Sequence, residues 1–438
     1  MSAPHVLYVA WGFPPMAAGG TFRTLGTANA LAAAGFDVTV LTAERNAFPT
    51  LTSVDPALET LIDSRIDVQR IPFTHTRFEV DVRNWPRERA EDPVGWLERA
   101  AERELEIFPE PSFGGWLTEL LPAAERIHAQ RPVDLVVGSA NPHVVLAVGD
   151  HLHTRHGVPY VIDHRDAWRL NCYTGDEQGA DDPRIAELET RYMANAHEVW
   201  FVNEPIRAWH QRLYPGTADR MRVVENGFDE IAAATGPVAS PAPDRPLRFT
   251  YVGSVRPQVP VPELLDGWIQ GREESAEIAA ATASIYGPVA KKGASRGLLS
   301  AAARYDFHYR GPVGKGALEQ VYADSDVLVL ALGGGRFVTS GKVYEYVATG
   351  LPIVSVHDPE SGAADVLRDY PLWVQAEDLS PRGIAAALAQ VAHLARTAPP
   401  EQRRAAVELG RRQERSARLA GPARELFGRF QRTEEAPA

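Results

Sequence analysis

Cysteine is nearly absent from this chain. The single Cys172 excludes an internal disulfide and any cysteine-built metal cage. Long apolar runs are missing too. None approaches the roughly 20 residues that span a bilayer, so stable membrane insertion is not expected. The opening MSAPHVLYVAWGFPP has no basic stretch ahead of an apolar core, so it does not read as a signal peptide, and a cytoplasmic location is the expectation. Positive charge is in deficit: 45 Lys and Arg stand against 57 Asp and Glu, a net charge of −12. That balance argues against a nucleic-acid partner, while leaving room for a local basic pocket around an anion.

Two familiar signatures are also lacking. The first strand-to-helix loop does not have the G-x-G-x-x-G spacing of a nicotinamide dinucleotide site. No D-x-D stands in a convincing loop context; Asp181 and Asp182 precede Pro183 in a polar loop and read as solvated surface. Neither a metal nor another cofactor is therefore expected.

What is present is an alternating rhythm. Val6–Ala10 is a short continuous apolar run, as in a strand covered on both faces. Thr21–Ala34 reads as a helix ended by Gly35, and FDVTVLT as a second strand. Helical Leu117–Gln130, His143–Arg155 and Ile185–Ala196 each lead into an apolar strand: VDLVVGSA, PYVIDHRD and HEVWFVN. Such alternation predicts α/β architecture with doubly wound, Rossmann-like parallel sheets. Thr74–Trp116 breaks the rhythm and reads as a polar, aromatic insertion with helices. Ile231–Arg248 holds four prolines and little that packs, and it marks a linker. Beyond it the rhythm restarts with LRFTYVGSV, TASIYGPV, YDFHYRGPV, DVLVLALGGG and LPIVSVHD. The length of 438 residues suits two domains. The expected division is 1–231, a linker at 232–246, a second domain at 247–415, and a charged C-terminal helix at 416–438 that returns to the first domain.

Candidate site residues cluster where strands end. Ligands in open α/β sheets bind past the carboxyl ends of strands. Gly19 and Gly20 follow the first strand and precede a helix, where bare backbone can approach an anion and positive φ is allowed. The plainer reading is a strand-helix turn. VIDHRDAW delivers Asp163, His164, Arg165 and Asp166 at the same rim, against the plainer reading of a surface Arg–Asp pair. In the second half, Ser340-Gly341-Lys342 opens a helix that ends at Gly350. Its N-terminus suits a phosphate, Lys342 adds charge, and Glu345 lies one turn on, able to accept two ribose hydroxyls. A simple surface ion pair is the alternative there. Gly253, Ser254 and Arg256 after one strand, and Val313 after another, sit where a diphosphate and a base edge could be held; a turn glycine and a solvated arginine are the bland version. Trp11, Phe13, Trp85, Trp96, Trp116 and Trp168 are either sugar- or ring-stacking platforms or core aromatics.

Taken in order, PPMAAGGTFR, FDVTVLT, VVENGFDE, FTYVGSV, YRGPV, YADSDVLVLAL and GKVYEYVATGLPIV resemble the GT-B glycosyltransferases, and among them the retaining family 4. The resemblance runs from about His5 to Val354. It implies two Rossmann-like domains facing a cleft, the first binding an acceptor and the second a nucleoside-diphosphate sugar. It further implies transfer to a hydroxyl of a small molecule or glycan, with retention and without metal. Gly19 and Gly20 would lie against the diphosphate and acceptor, and His164 near the transferred sugar. Glu345 matches the second glutamate of E-x7-E, and Val313 meets the base through its main chain. His164, Arg165 and Asp166 are then the candidates for the chemical step. Phe337 replaces the first glutamate, and Ser254 and Val259 replace an arginine and a lysine, which leaves Arg256, Lys342 or the pair Lys291 and Lys292 to supply charge. A sugar-nucleotide 2-epimerase, or a pseudo-glycosyltransferase or inactive scaffold of the same fold, are the rival readings.

Overall fold

Strand β1 (His5–Val9) is buried along its whole length and pairs in parallel with β2 (Asp37–Ala43) on one side and β4 (Leu135–Ser139) on the other. With β3 (Asp67–Ile71), β5 (Tyr160–His164), β6 (Glu198–Phe201) and β7 (Met221–Val223), they form a seven-stranded sheet ordered β3-β2-β1-β4-β5-β6-β7. Every pairing is parallel. The order reverses between β1 and β4, so the loops after these two strands diverge and leave a crevice at their carboxyl ends. The computed structural model describes residues 3–73, 79, 81–229, 238–290 and 295–435. Part of the expected linker, and Lys291 and Lys292, lie outside the described residues.

A second sheet follows the same logic. It contains β8 (Arg248–Val252), β9 (Thr282–Tyr286), β10 (Phe307–Gly311), β11 (Val327–Ala331), β12 (Ile353–Val356) and β13 (Trp373–Gln375), ordered β10-β9-β8-β11-β12-β13. Its reversal falls between β8 and β11. The doubly wound architecture expected from the alternation is what forms. The short strands β3, β7 and β13 were not anticipated.

The chain divides into two compact units. One comprises Met1–Asn171, Asp176–Glu225 and Leu419–Ala438; the other Cys172–Gly175 and Asn226–Arg418. The core of the first unit joins Val6, Tyr8, Leu31, Val38, Val137 and Trp200 with Leu419, Ala423 and Leu426 from the last helix, Arg415–Glu435. Phe36 meets Phe427 edge to face at 5.0 Å, just past the point where the Gly19–Ala34 helix ends at left-handed Gly35. In the second unit, two apolar clusters cover the faces of its sheet, one built around Trp268 and Ile285 and the other around Tyr346 and Leu330. Within the Thr74–Trp116 stretch, Arg87–Glu91 and Pro93–Ile107 are helical, as expected of the insertion. Among the described residues, no helix is long and apolar enough to cross a membrane.

Candidate functional site

In the second unit, β8, β9 and β10 end on glycines with positive φ: Gly253 at 154°, Gly287 at 138° and Gly311 at 84°. Gly253 is required twice over. Its φ suits no side chain, and a Cβ there would lie 1.6 Å from the ammonium of Lys342. Lys342 is the second residue of the Gly341–Ala348 helix, which Ser340 caps by accepting from the Lys342 N–H at 3.4 Å. The Lys342 Nζ donates to Tyr251 Oη at 3.0 Å and stands 4.7 Å from the Tyr251 ring centroid. Tyr251 Oη in turn donates to the Ser254 carbonyl at 3.0 Å. One helix N-terminus, one ammonium and one bare backbone turn thus meet at the end of β8.

The electrostatics of this group are unbalanced. Burial pulls the Lys342 ammonium down to about 8; Glu345 opposes that shift and Arg256 adds to it. A desolvated cation next to a second cation is short of negative charge, and an entering anion would supply it. Glu345 is half-buried one turn along and accepts from Tyr322 Oη at 3.5 Å. A cavity of about 530 Å³ opens beside these groups, lined by Tyr173, Ser254, Arg256, Gln258, Pro288 and Ala290. Val313 stands on the loop after β10, two strands along the sheet from β8. Val259, where the resemblance would place a lysine, packs against the apolar core instead. Phe337 is half-buried in the loop after β11.

The first unit gathers a different set. Gly19 and Gly20 are the first two residues of the Gly19–Ala34 helix. Gly20 does not adopt positive φ, contrary to the sequence-based expectation; helical backbone suffices there. What requires the glycine is Arg165, because a Cβ on Gly20 would fall 1.8 Å from its Nη1. Arg165 is held in place by donating from Nε to the Ala140 carbonyl at 3.0 Å and from Nη2 to the Asn141 carbonyl at 2.5 Å. Asp166 is exposed and accepts from Asn141 Nδ2 at 2.6 Å. Gly20, Arg165 and Asp166 are therefore brought together past the ends of β1, β4 and β5.

Two neighbours are placed otherwise than expected. Asp163 is fully buried and bound by Arg23, whose Nη2 donates at 2.6 Å and Nε at 3.0 Å. An aspartate so enclosed is a structural anchor rather than a base or nucleophile. The His164 ring is 1% exposed and turned inward. Its Nδ1 faces the Asp166 carbonyl at 2.9 Å and its Nε2 faces Glu189 at 3.6 Å. Burial lowers its affinity for a proton. A histidine in this pose does not present a ring nitrogen to a sugar at the surface. The aromatic residues are mostly core. Trp11 is ringed edge to face by Phe48, Phe73 and Phe113, and Trp168 stacks between His143 and Phe108. Trp85 and Trp96 flank the Arg89 guanidinium. Tyr251, Glu189 and His210 were missed by the sequence reading. Tyr251 looked like any strand aromatic, and only its two-residue offset from Gly253 hinted at more.

With this geometry in view, residues 18–227 match the family model described as a glycosyl transferase 4-like domain. No curated protein matches the chain in sequence. Among solved structures, the sucrose-phosphate synthase of Thermosynechococcus elongatus is similar, at 16% identity and a TM-score of 0.61 over 98% of this chain and 100% of that one. A glycosyltransferase from Rickettsia africae superposes with a TM-score of 0.63 at 10% identity, covering 98% and 99%. HepE of Anabaena, solved with UDP-glucose, gives 0.55 at 14% identity, covering 98% and 99%. Fold and matched domain agree: the chain has the two-Rossmann GT-B fold of the glycosyltransferases it superposes on. Its first unit carries the glycosyl transferase 4-like domain, and its second is the other Rossmann-like half of that fold.

Proposed function

We propose that the protein moves a sugar from a nucleoside-diphosphate sugar to a hydroxyl of a small molecule or glycan, with retention of configuration and without metal at the diphosphate. The observation that carries this reading is the Lys342 ammonium lodged over Gly253 at a helix N-terminus, with Arg256 and Glu345 in electrostatic range. The binding of UDP-glucose by the similar HepE supports a donor of this kind. Leaving-group charge must be met where it develops. Lys342, Arg256 and the N–H groups at Ser340–Lys342 can meet it, Glu345 can accept the ribose hydroxyls, and the Val313 main chain can read the base. Gly19, Gly20, Arg165 and Asp166 face the acceptor in this scheme. Retention then follows from front-face attack, with a donor phosphate oxygen taking the acceptor proton. The acceptor O–C bond forms as the sugar–phosphate bond breaks, and the nucleoside diphosphate leaves protonated. Asp163, enclosed by Arg23, is not needed as a base.

The test is Glu345→Ala, assayed by acceptor-dependent release of nucleoside diphosphate. A ribose contact kept from ground state to transition state predicts KM raised about tenfold or more, with kcat changed less than about threefold. Collapsed kcat at unchanged KM would make Glu345 a chemical group and defeat the assignment. Turnover of the nucleotide sugar without any acceptor would defeat transfer itself.

A further inference from the structure

Deep in the first unit, three side chains converge that the proposed transfer does not use. His164 ends β5, Glu189 lies in the Pro183–Asn195 helix, and His210 lies in the Glu204–Leu213 helix. Their side chains are 1%, 2% and 0% exposed. Both histidines point at one carboxylate oxygen: Glu189 Oε1 is 3.6 Å from His164 Nε2 and 3.8 Å from His210 Nε2. All three atoms lie within 4.8 Å of one another. These gaps exceed hydrogen-bond length. They are close to the ~3.4 Å that separates neighbouring ligands around a tetrahedral ion bound at about 2.1 Å.

The hydrogen-bonding roles sharpen the point. His164 Nδ1 faces the Asp166 carbonyl at 2.9 Å, and His210 Nδ1 faces the Ile206 carbonyl at 2.8 Å. A carbonyl oxygen only accepts, so each Nδ1 carries the hydrogen. In a neutral ring each Nε2 is then left with a lone pair. Two lone pairs and an anionic oxygen therefore face one another with no donor between them. Among the described residues, Glu189 Oε1 and His210 Nε2 are both buried without a hydrogen-bond partner. Unmatched buried acceptors are costly, and a cation at their centre removes the cost. Carbonyl-held imidazoles are the usual support of metal-binding histidines. The other carboxylate oxygen is fixed as well, because Tyr214 Oη donates to Glu189 Oε2 at 2.6 Å and Arg169 Nη1 donates to Tyr214 Oη at 3.0 Å.

We propose that His164, Glu189 and His210 bind one divalent transition-metal ion, zinc by the nitrogen and oxygen character and close spacing of the ligands. The ion is structural. It ties the end of β5 to two helices and so fixes the turn that carries Arg165 and Asp166. Sequence offered no spacing signature, since the ligands come from three separate elements.

The experiment uses the full chain and the metals themselves. Elemental analysis of the purified protein, or of chelator-stripped protein reloaded with Zn²⁺, is expected to give one ion per chain. Co²⁺ in its place should give visible d–d bands that the stripped protein lacks. Glu189→Gln keeps size and still accepts from Tyr214, so folding should survive, as circular dichroism will check. It and His210→Gln should each weaken Zn²⁺ binding by more than about a hundredfold. Glu125→Gln, at the surface ion-pair cluster with His151 and His156, should leave binding unchanged. The proposal is overturned if stripped protein takes up neither ion, if binding survives Glu189→Gln undiminished, or if Glu125→Gln abolishes it. Ring-nitrogen NMR showing a metal-free imidazolium at His164 or His210 in zinc-saturated buffer would overturn it too.

Discussion

At the scale of a single residue, Lys342 carries the most testable chemistry. Its ammonium is pulled down to about 8 by burial, below the ordinary lysine value of 10.5. The folded protein therefore loses this charge as pH rises through about 8, while an unfolded chain keeps it until about 10.5. Two opposite trends follow in that window. The unfolded state binds more protons, so this group's contribution to stability rises with pH. Affinity for a diphosphate should fall, because the cation that faces it disappears. Titration calorimetry with UDP from pH 7 to 9.5 is expected to show that decline, and Lys342→Arg should flatten it. An affinity independent of pH in the unsubstituted protein would rule out Lys342 as the diphosphate's partner.

The elements show what could be read in advance and what could not. Strands β1 and β11 announce themselves as short apolar runs, and the Gly341–Ala348 helix by Ser340 before it and Gly350 after it. Those signals are local. The edge strands β3, β7 and β13 carry few buried residues, so their sequences give weak alternation. Positions set by their own element were legible, such as that of Lys342 at the start of its helix. Contacts across the fold were not: Lys342 meets Tyr251 over a separation of 91 residues, and Arg23 meets Asp163 over 140. The glycine that opens the Gly19–Ala34 helix illustrates the difference. A side chain at Gly20 meets no barrier from φ, and Gly20→Val acts through space alone, because the Arg165 guanidinium already occupies it. Folding should persist, since the displaced group is the end of a flexible side chain at the rim. Transfer should fall about tenfold or more, Arg165→Ala should fall similarly, and the double variant should be little worse than either, as coupled neighbours behave. Full activity in Gly20→Val would return this helix start to an ordinary turn.

For the whole molecule, the last helix matters more than its position suggests. Leu419, Ala423 and Leu426 are each no more than 2% exposed in the core of the first unit, and Phe427 packs on Phe36. Removing a buried leucine costs about 2–5 kcal/mol, and two are lost together here. Truncation after Arg418 should lower the melting temperature of the first unit by more than about 10 °C, or abolish its cooperative transition. The second unit, with its own clusters, should keep a separate transition. Calorimetry of the truncated chain showing both transitions intact would mean the helix is dispensable.

The same discontinuity orders events on the ribosome. Synthesis runs from N- to C-terminus, yet the segment that completes the first unit begins only at Leu419. The stretch from Asn226 to Arg418 is uninterrupted and emerges in full before that segment does. The half of the protein made first is thus the half finished last. Until that segment leaves the exit tunnel, the apolar patch around Phe36 stays uncovered, a window in which a nascent chain depends on a chaperone or on speed.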